Sequence, residues 1–139
     1  MIKLSQICVL LYCFLGFSAK AQPIDLVKKD MVDAVKTAIK KYKVDGMSGL
    51  AIETDSCYSN SKRTGFYCVY LDLASRHIDE VVIASAAKSG INFPKSEFFD
   101  DPLFLPRIAV IFKKAGMSMD ESNEFLRSVT PFINGLVEY

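Results

Sequence analysis

Apolar positions recur in steps of three and four along most of the chain, the spacing of a stripe on one side of an α-helix. After Pro23 the stripe runs Ile24, Val27, Met31, Ala34, Val35, Ala38, Ile39 and Tyr42, with Lys28, Lys29, Asp33, Lys36, Lys40 and Lys41 on the other side. Asp45-Gly46 stops this helix, because glycine adopts the left-handed cap conformation without a Cβ penalty. A shorter helix follows over Met47 to Tyr58, with Leu50, Ala51, Thr54 and Cys57 or Tyr58 on one side. Ser59 to Gly65 is polar and rich in turn formers, so it reads as a loop.

From Phe66 the helical pattern resumes through Tyr67, Leu71, Ala74, Ile78 and Val81, and Ser89-Gly90 supplies a stop after Lys88. Phe66 to Leu71 has strand propensity, but the unbroken continuation over some 22 residues decides for helix. Residues 91–101 form a connector whose Phe93, Phe98 and Phe99 are candidates for exposed anchors of a partner. Asp101-Pro102 opens a helix that Gly116 closes, with Pro102 harmless in the first turn. Ser118-x-x-Glu121 is a capping box that opens the last helix, toward Val137, and Pro131 is expected to kink or split it. The pattern therefore predicts an all-α protein, a small bundle of about five helices in one domain over residues 22–139.

The first 21 residues carry a different signal. A short positive start at Lys3, an apolar run from Ile7 to Phe17, and Ala19-Lys20-Ala21 follow the order of a cleaved secretory signal peptide. The apolar run is too short to span a bilayer comfortably, and no longer run follows it, so no membrane span is expected after cleavage. Neither Cys8 nor Cys13 is preceded by the small residues that lipidation needs. The expected location is the periplasm. Cleavage removes two of the 17 basic residues and none of the 16 acidic ones, leaving a net charge of −1. That balance lacks the basic footprint of a general nucleic-acid binder.

Export also changes the meaning of the cysteines. Only Cys57 and Cys68 remain, and a pair in an oxidising compartment reads as one disulfide, worth about 3 kcal/mol in the chain-entropy account. The bridge would pin two neighbouring helices at the loop between them. A metal site needs more ligands than this pair and the lone His77 provide.

Candidate chemistry is sparse. Gly46-Met47-Ser48-Gly49 lacks the spacing of a nucleophile elbow. Ser59-x-x-Lys62 and Ser85-x-x-Lys88 match a catalytic spacing, but one lies in a loop and the other at a helix end. His77 has Asp79 two positions on, which points elsewhere on a helix. The acidic pairs Asp100-Asp101 and Asp120-Glu121 coincide with helix starts, where negative charge complements the macrodipole. No catalytic residue, metal ligand or cofactor is assigned, and the expectation is a non-enzymatic protein.

The signal ending Ala19-Lys20-Ala21, the Cys57/Cys68 pair and the helix start Tyr67-Cys68-Val69-Tyr70-Leu71-Asp72-Leu73-Ala74 together give a size, compartment and plan. In these the chain resembles the periplasmic immunity proteins of type VI secretion systems that guard against cell-wall amidase effectors. The resemblance implies a helical protein, often a homodimer, that inserts a loop or helix edge into the groove of a peptidoglycan hydrolase and occludes it. On that reading the contact surface is the loop of Ser59, Asn60, Ser61, Lys62, Arg63 and Thr64, with Lys62 and Arg63 projecting. The competing expectation is a periplasmic chaperone or small-ligand carrier.

Overall fold

The structure, a computed structural model, describes residues 24–60 and 65–138, with side chains from Val27 onward. The expected signal peptide, residues 1–21, and Ser61 to Thr64 of the expected contact loop lie outside the described residues. Four α-helices and one 3-10 turn make up the fold, with no strand among the described residues: α1 Ile24–Ser59, α2 Phe66–Lys88, the turn Glu97–Phe99, α3 Asp101–Lys114 and α4 Met119–Val137. None of these helices is long and apolar enough to cross a membrane.

The count is four where the sequence pattern gives about five, and Gly46 is the reason. Helical hydrogen bonding is continuous enough to join Ile24–Ser59 into one element, yet Gly46 sits at φ 65, ψ −162, outside helical geometry. The chain turns sharply there. Twelve residues of straight helix would separate Lys41 from Glu53 by about 18 Å. Instead the Lys41 Nζ lies 3.9 Å from Glu53 and 2.8 Å from Asp45, so one ammonium ties the two arms of α1 together. Gly49 is buried just past the bend, where an added Cβ would overlap the Asp45 side chain.

Packing follows the predicted stripes. Met31, Ala34, Val35 and Ala38 of the first arm and Leu50, Thr54 and Cys57 of the second are buried against α2. The second arm and α2 run antiparallel, as the pairs Cys57–Cys68, Tyr58–Asp72 and Thr54–Ser75 show. α2 is the centre of the molecule, with Cys68 to Ser75 buried without interruption. The buried hydroxyl groups of Thr54 in α1 and Ser75 in α2 face each other at 3.2 Å, and each is also satisfied within its own helix. The Thr54 Oγ1 donates to the Leu50 carbonyl and the Ser75 Oγ to the Leu71 carbonyl.

α4 closes the core with Val129 and Ile133, and an aromatic cluster joins it to α2 and α3. Phe125 stands 4.9 Å from Phe66, 5.5 Å from Phe112 and 6.1 Å from Tyr70, ring centroid to centroid. The capping box at Ser118 and Glu121 is formed in both directions. Of the two outcomes expected at Pro131, a kink or a split, the split does not occur: α4 runs through it as one helix. The Pro131 ring is exposed, and the flanking Val129 and Ile133 are held in the core, so packing offsets the one amide that proline lacks.

The connector is a second correction. Phe93 is half exposed, but Phe99 is completely buried and Phe98 is partly covered. The 3-10 turn Glu97–Phe99 rotates Phe99 inward, so only Phe93 keeps the role of an exposed aromatic there.

Candidate functional site

The expected contact loop leaves the body at the open end of the hairpin between the second arm of α1 and α2. Ser59 is the last residue of α1 and Asn60 follows it, and both are exposed. Gly65, at φ 88, feeds directly into α2. Behind these residues Cys57 and Cys68 form the predicted disulfide, with Cα atoms 5.6 Å apart. The bridge crosses the root of the loop, so the chain enters and leaves it from fixed points. Ser59 and Asn60 are thus brought beside the disulfide, while Ser61 to Thr64 lie outside the described residues.

Two hollows flank this end. One of about 310 Å³ is lined by Tyr58, Phe66, Cys68, Ile111 and Lys114, between the disulfide and the C-terminal end of α3. The other, of about 410 Å³, lies between the arms of α1 and the start of α2 and is lined by Thr37, Glu53, Ser56, Asn60 and Tyr67. Across it the Thr37 and Tyr67 hydroxyl groups are 3.1 Å apart.

One polar assembly escaped the sequence reading. Asp72 is fully buried and accepts two hydrogen bonds from Arg107, from Nε and Nη2, each at 3.0 Å. The Tyr58 hydroxyl donates to the same carboxylate at 3.0 Å. Arg107 also donates to the Phe98 carbonyl at 2.9 Å, and its guanidinium carbon lies 3.9 Å from the centre of the Phe98 ring. A bidentate fork with its remaining face on an aromatic ring uses most of what arginine offers. The assembly fastens α3 and the 3-10 turn to α2 and α1. Burial pushes the Asp72 carboxyl above its ordinary range, while Arg107 and Tyr58 pull it back. Burial also pushes the Tyr58 hydroxyl far above its usual value, with Asp72 adding to the effect. Tyr70, buried near Asp30, is pushed up to about 12. The signal was present in the sequence as one carboxylate in the apolar start of α2 and one cation in an otherwise uncharged stretch of α3.

The other singled-out residues fall where helix geometry sends them. His77 is nearly buried between α2 and α4, with Nδ1 3.5 Å from Glu80 and Nε2 3.4 Å from Glu138. Asp79 points away from it and accepts from the Ser96 backbone amide at 3.3 Å. The imidazole lines a hollow that it shares with Leu73, Arg76, Thr130 and Asn134. Ser48, Ser85 and Lys88 are exposed, the last two one turn apart at the end of α2 and Ser48 in the second arm of α1. Asp100 precedes α3 as its cap, Asp101 begins it, and Asp120 and Glu121 fill the first turn of α4. Among the described residues no group of three or more His, Cys, Asp or Glu side chains could hold a metal ion.

A further surface emerges on α3. Phe104, Ile108 and Phe112 turn inward, and Leu103, Leu105 and Val110 remain about half exposed on other sides of the same helix. Between α3 and α4 lies an apolar groove of about 400 Å³ lined by Leu105, Ala109, Phe112, Met117, Met119 and Leu126, with Lys113 at one end. Neither feature was read from the sequence, because an apolar residue on a helix is assigned to the core by default.

No protein family, curated protein or solved structure matches this chain.

Proposed function

We propose that this chain is a periplasmic immunity protein that binds a cognate type VI secretion cell-wall amidase and occludes its groove without performing chemistry of its own. The observation that supports this reading is the disulfide across the root of the Ser59 to Gly65 loop. A loop with both ends fixed on packed helices loses less conformational freedom on binding than one on a pliable support. Its Lys62 and Arg63 supply the charges that would engage an acidic lip of the effector. In this proposal the chain acts outside the cytosol, after removal of residues 1–21, as a monomer or a homodimer.

The test is survival of cells that direct such an amidase effector to their own periplasm. Co-expression of the full chain is expected to restore growth, and Lys62→Ala with Arg63→Ala is expected to lower protection at least tenfold. Full protection by the double variant removes the loop from the proposal. Growth arrest despite the intact chain removes that effector from the proposal. Mass spectrometry of the periplasmic protein is expected to find Gln22 at the N-terminus and no free thiol.

The α3–α4 groove supports the carrier or chaperone as a second reading, since it offers apolar walls and little polarity. That reading expects hydrophobic-dye binding and suppression of aggregation at acidic pH. An inhibitor that works through its loop shows neither.

A further inference from the structure

The solvent-facing pole of the first arm of α1 carries charges of one sign. Successive residues of a helix turn by about 100°, so Lys29, Lys36, Lys40 and Lys43 fall within an arc of about 60°. That arc lies opposite the buried Met31, Ala34, Val35 and Ala38, and all four lysines are exposed. At ~1.5 Å per residue the row is about 21 Å long. The carboxylates of the same arm face other groups. Asp45 holds Lys41, which also reaches Glu53, and Asp30 lies near the buried Tyr70. Half-buried Asp33 borders the row, so four cations stand against one carboxylate. Lys41 is the one lysine of α1 that forms an ion pair among the described residues. Lys36 and Lys40 are four apart, a spacing at which like charges weaken a helix. An anionic partner turns that repulsion into attraction.

The surroundings of the row say what kind of anion fits. None of the four hollows described above is lined by these lysines, so the row encloses no small ligand and suits a flat partner. Val44, 72% exposed, stands one turn beyond Lys40 and next to Lys43, at the end of the row. Lysines with an exposed apolar side chain among them, on a helix lying flat, are suited to the surface of an anionic bilayer. We infer that the outer pole of α1 rests on a membrane surface carrying anionic phospholipid, with the lysine ammonium groups on lipid phosphates and Val44 among the headgroups. The contact is peripheral, as no described helix is long and apolar enough to cross the bilayer. Each lysine near such a surface multiplies the partition constant about fivefold, which gives a reversible contact that salt weakens.

This contact goes beyond the amidase reading and stands or falls without it. The test is co-sedimentation of the full chain, expressed with its own leader and purified as the cell processes it, with vesicles of phosphatidylcholine alone or with a third of phosphatidylglycerol. Binding to the anionic vesicles at low salt is expected, with loss at high salt and none on phosphatidylcholine. Lys36→Gln with Lys40→Gln is expected to weaken binding about 25-fold, two steps of about fivefold, with the helical circular dichroism unchanged. The chain has no tryptophan, so Val44→Trp supplies a single fluorophore, whose emission is expected to shift to the blue on anionic vesicles. Failure to bind, equal binding to both vesicles, or undiminished binding by the lysine double variant overturns the inference. So does binding that leaves the Val44→Trp emission unmoved, because another face then meets the bilayer. Retention on polyglutamate without binding to vesicles assigns the row to an acidic protein and overturns it as well. The Lys62 and Arg63 double variant is expected to bind vesicles like the wild type, so this inference and the amidase reading fail separately.

Discussion

Asp72 and Arg107 show how a buried ion pair can be costly to break without being a net source of stability. Taking both charges out of water costs several kcal/mol, and their two hydrogen bonds roughly repay it. Removing one partner strands the other. Asp72→Leu leaves the Arg107 guanidinium, only 15% exposed, facing the Phe98 carbonyl and ring alone. Urea unfolding is expected to register a loss of about 3–5 kcal/mol for that variant, most of it recovered when Arg107→Leu is added. A double variant as unstable as the single one would show that the pair contributes more than it costs. Asp79 offers a pH test with a definite sign. Burial, aided by Asp100 and Glu80, raises its carboxyl above the usual range, against the opposing pull of the Ser96 amide and Lys95. A carboxyl raised on folding favours the native state while protonated, and that advantage fades as pH climbs through its native pKa. Asp79→Asn keeps an acceptor for Ser96 and carries no charge to desolvate. It is expected to be more stable than the wild type at neutral pH, with the gap closing as the medium falls toward pH 4, measured by thermal melting across that range.

Among the helices, the bend of α1 was readable and its consequence was not. Asp45-Gly46 announces a stop, and Gly46 does occupy a backbone region that only glycine enters cheaply. Gly46→Ala is expected to cost about 1–3 kcal/mol in urea unfolding. An unchanged midpoint would mean that the arms of α1 can be joined by another turn. The pattern could not reveal that the arms fold together through Lys41 and Glu53, since that contact depends on a turn angle and not on periodicity. The limits of α2 and the Ser118 capping box were legible for the opposite reason, because both are decided within a few residues. Phe98 and Phe99 misled. They are consecutive aromatics in a polar connector, and a single turn of 3-10 helix sends one to the core and the other beneath Arg107. Of the proposed contact site, sequence supplied the loop and the cysteine pair. The apolar side of α3 stayed hidden, since which of its two apolar sides is covered depends on where Asp72 anchors Arg107.

Across the whole molecule, stability is concentrated on α2, which touches both arms of α1, α3 and α4 and buries eight residues in succession from Cys68 to Ser75. α3 is held more thinly, by three inward apolar side chains, Arg107 and the Arg76–Asp101 pair. Replacing Cys57 and Cys68 together by serine is expected to lower stability by about 3 kcal/mol, read from the shift in urea midpoint, because the covalent link restricts the unfolded chain. A variant of equal stability would show that the packing around α2 suffices alone. The same link has a consequence wherever the chain meets proteases. The chain between Cys57 and Cys68 is a closed covalent ring, so a single cut after Lys62 or Arg63 opens the ring without separating the halves. A nicked molecule therefore migrates as one species on a denaturing gel until a thiol is added, and only then divides in two.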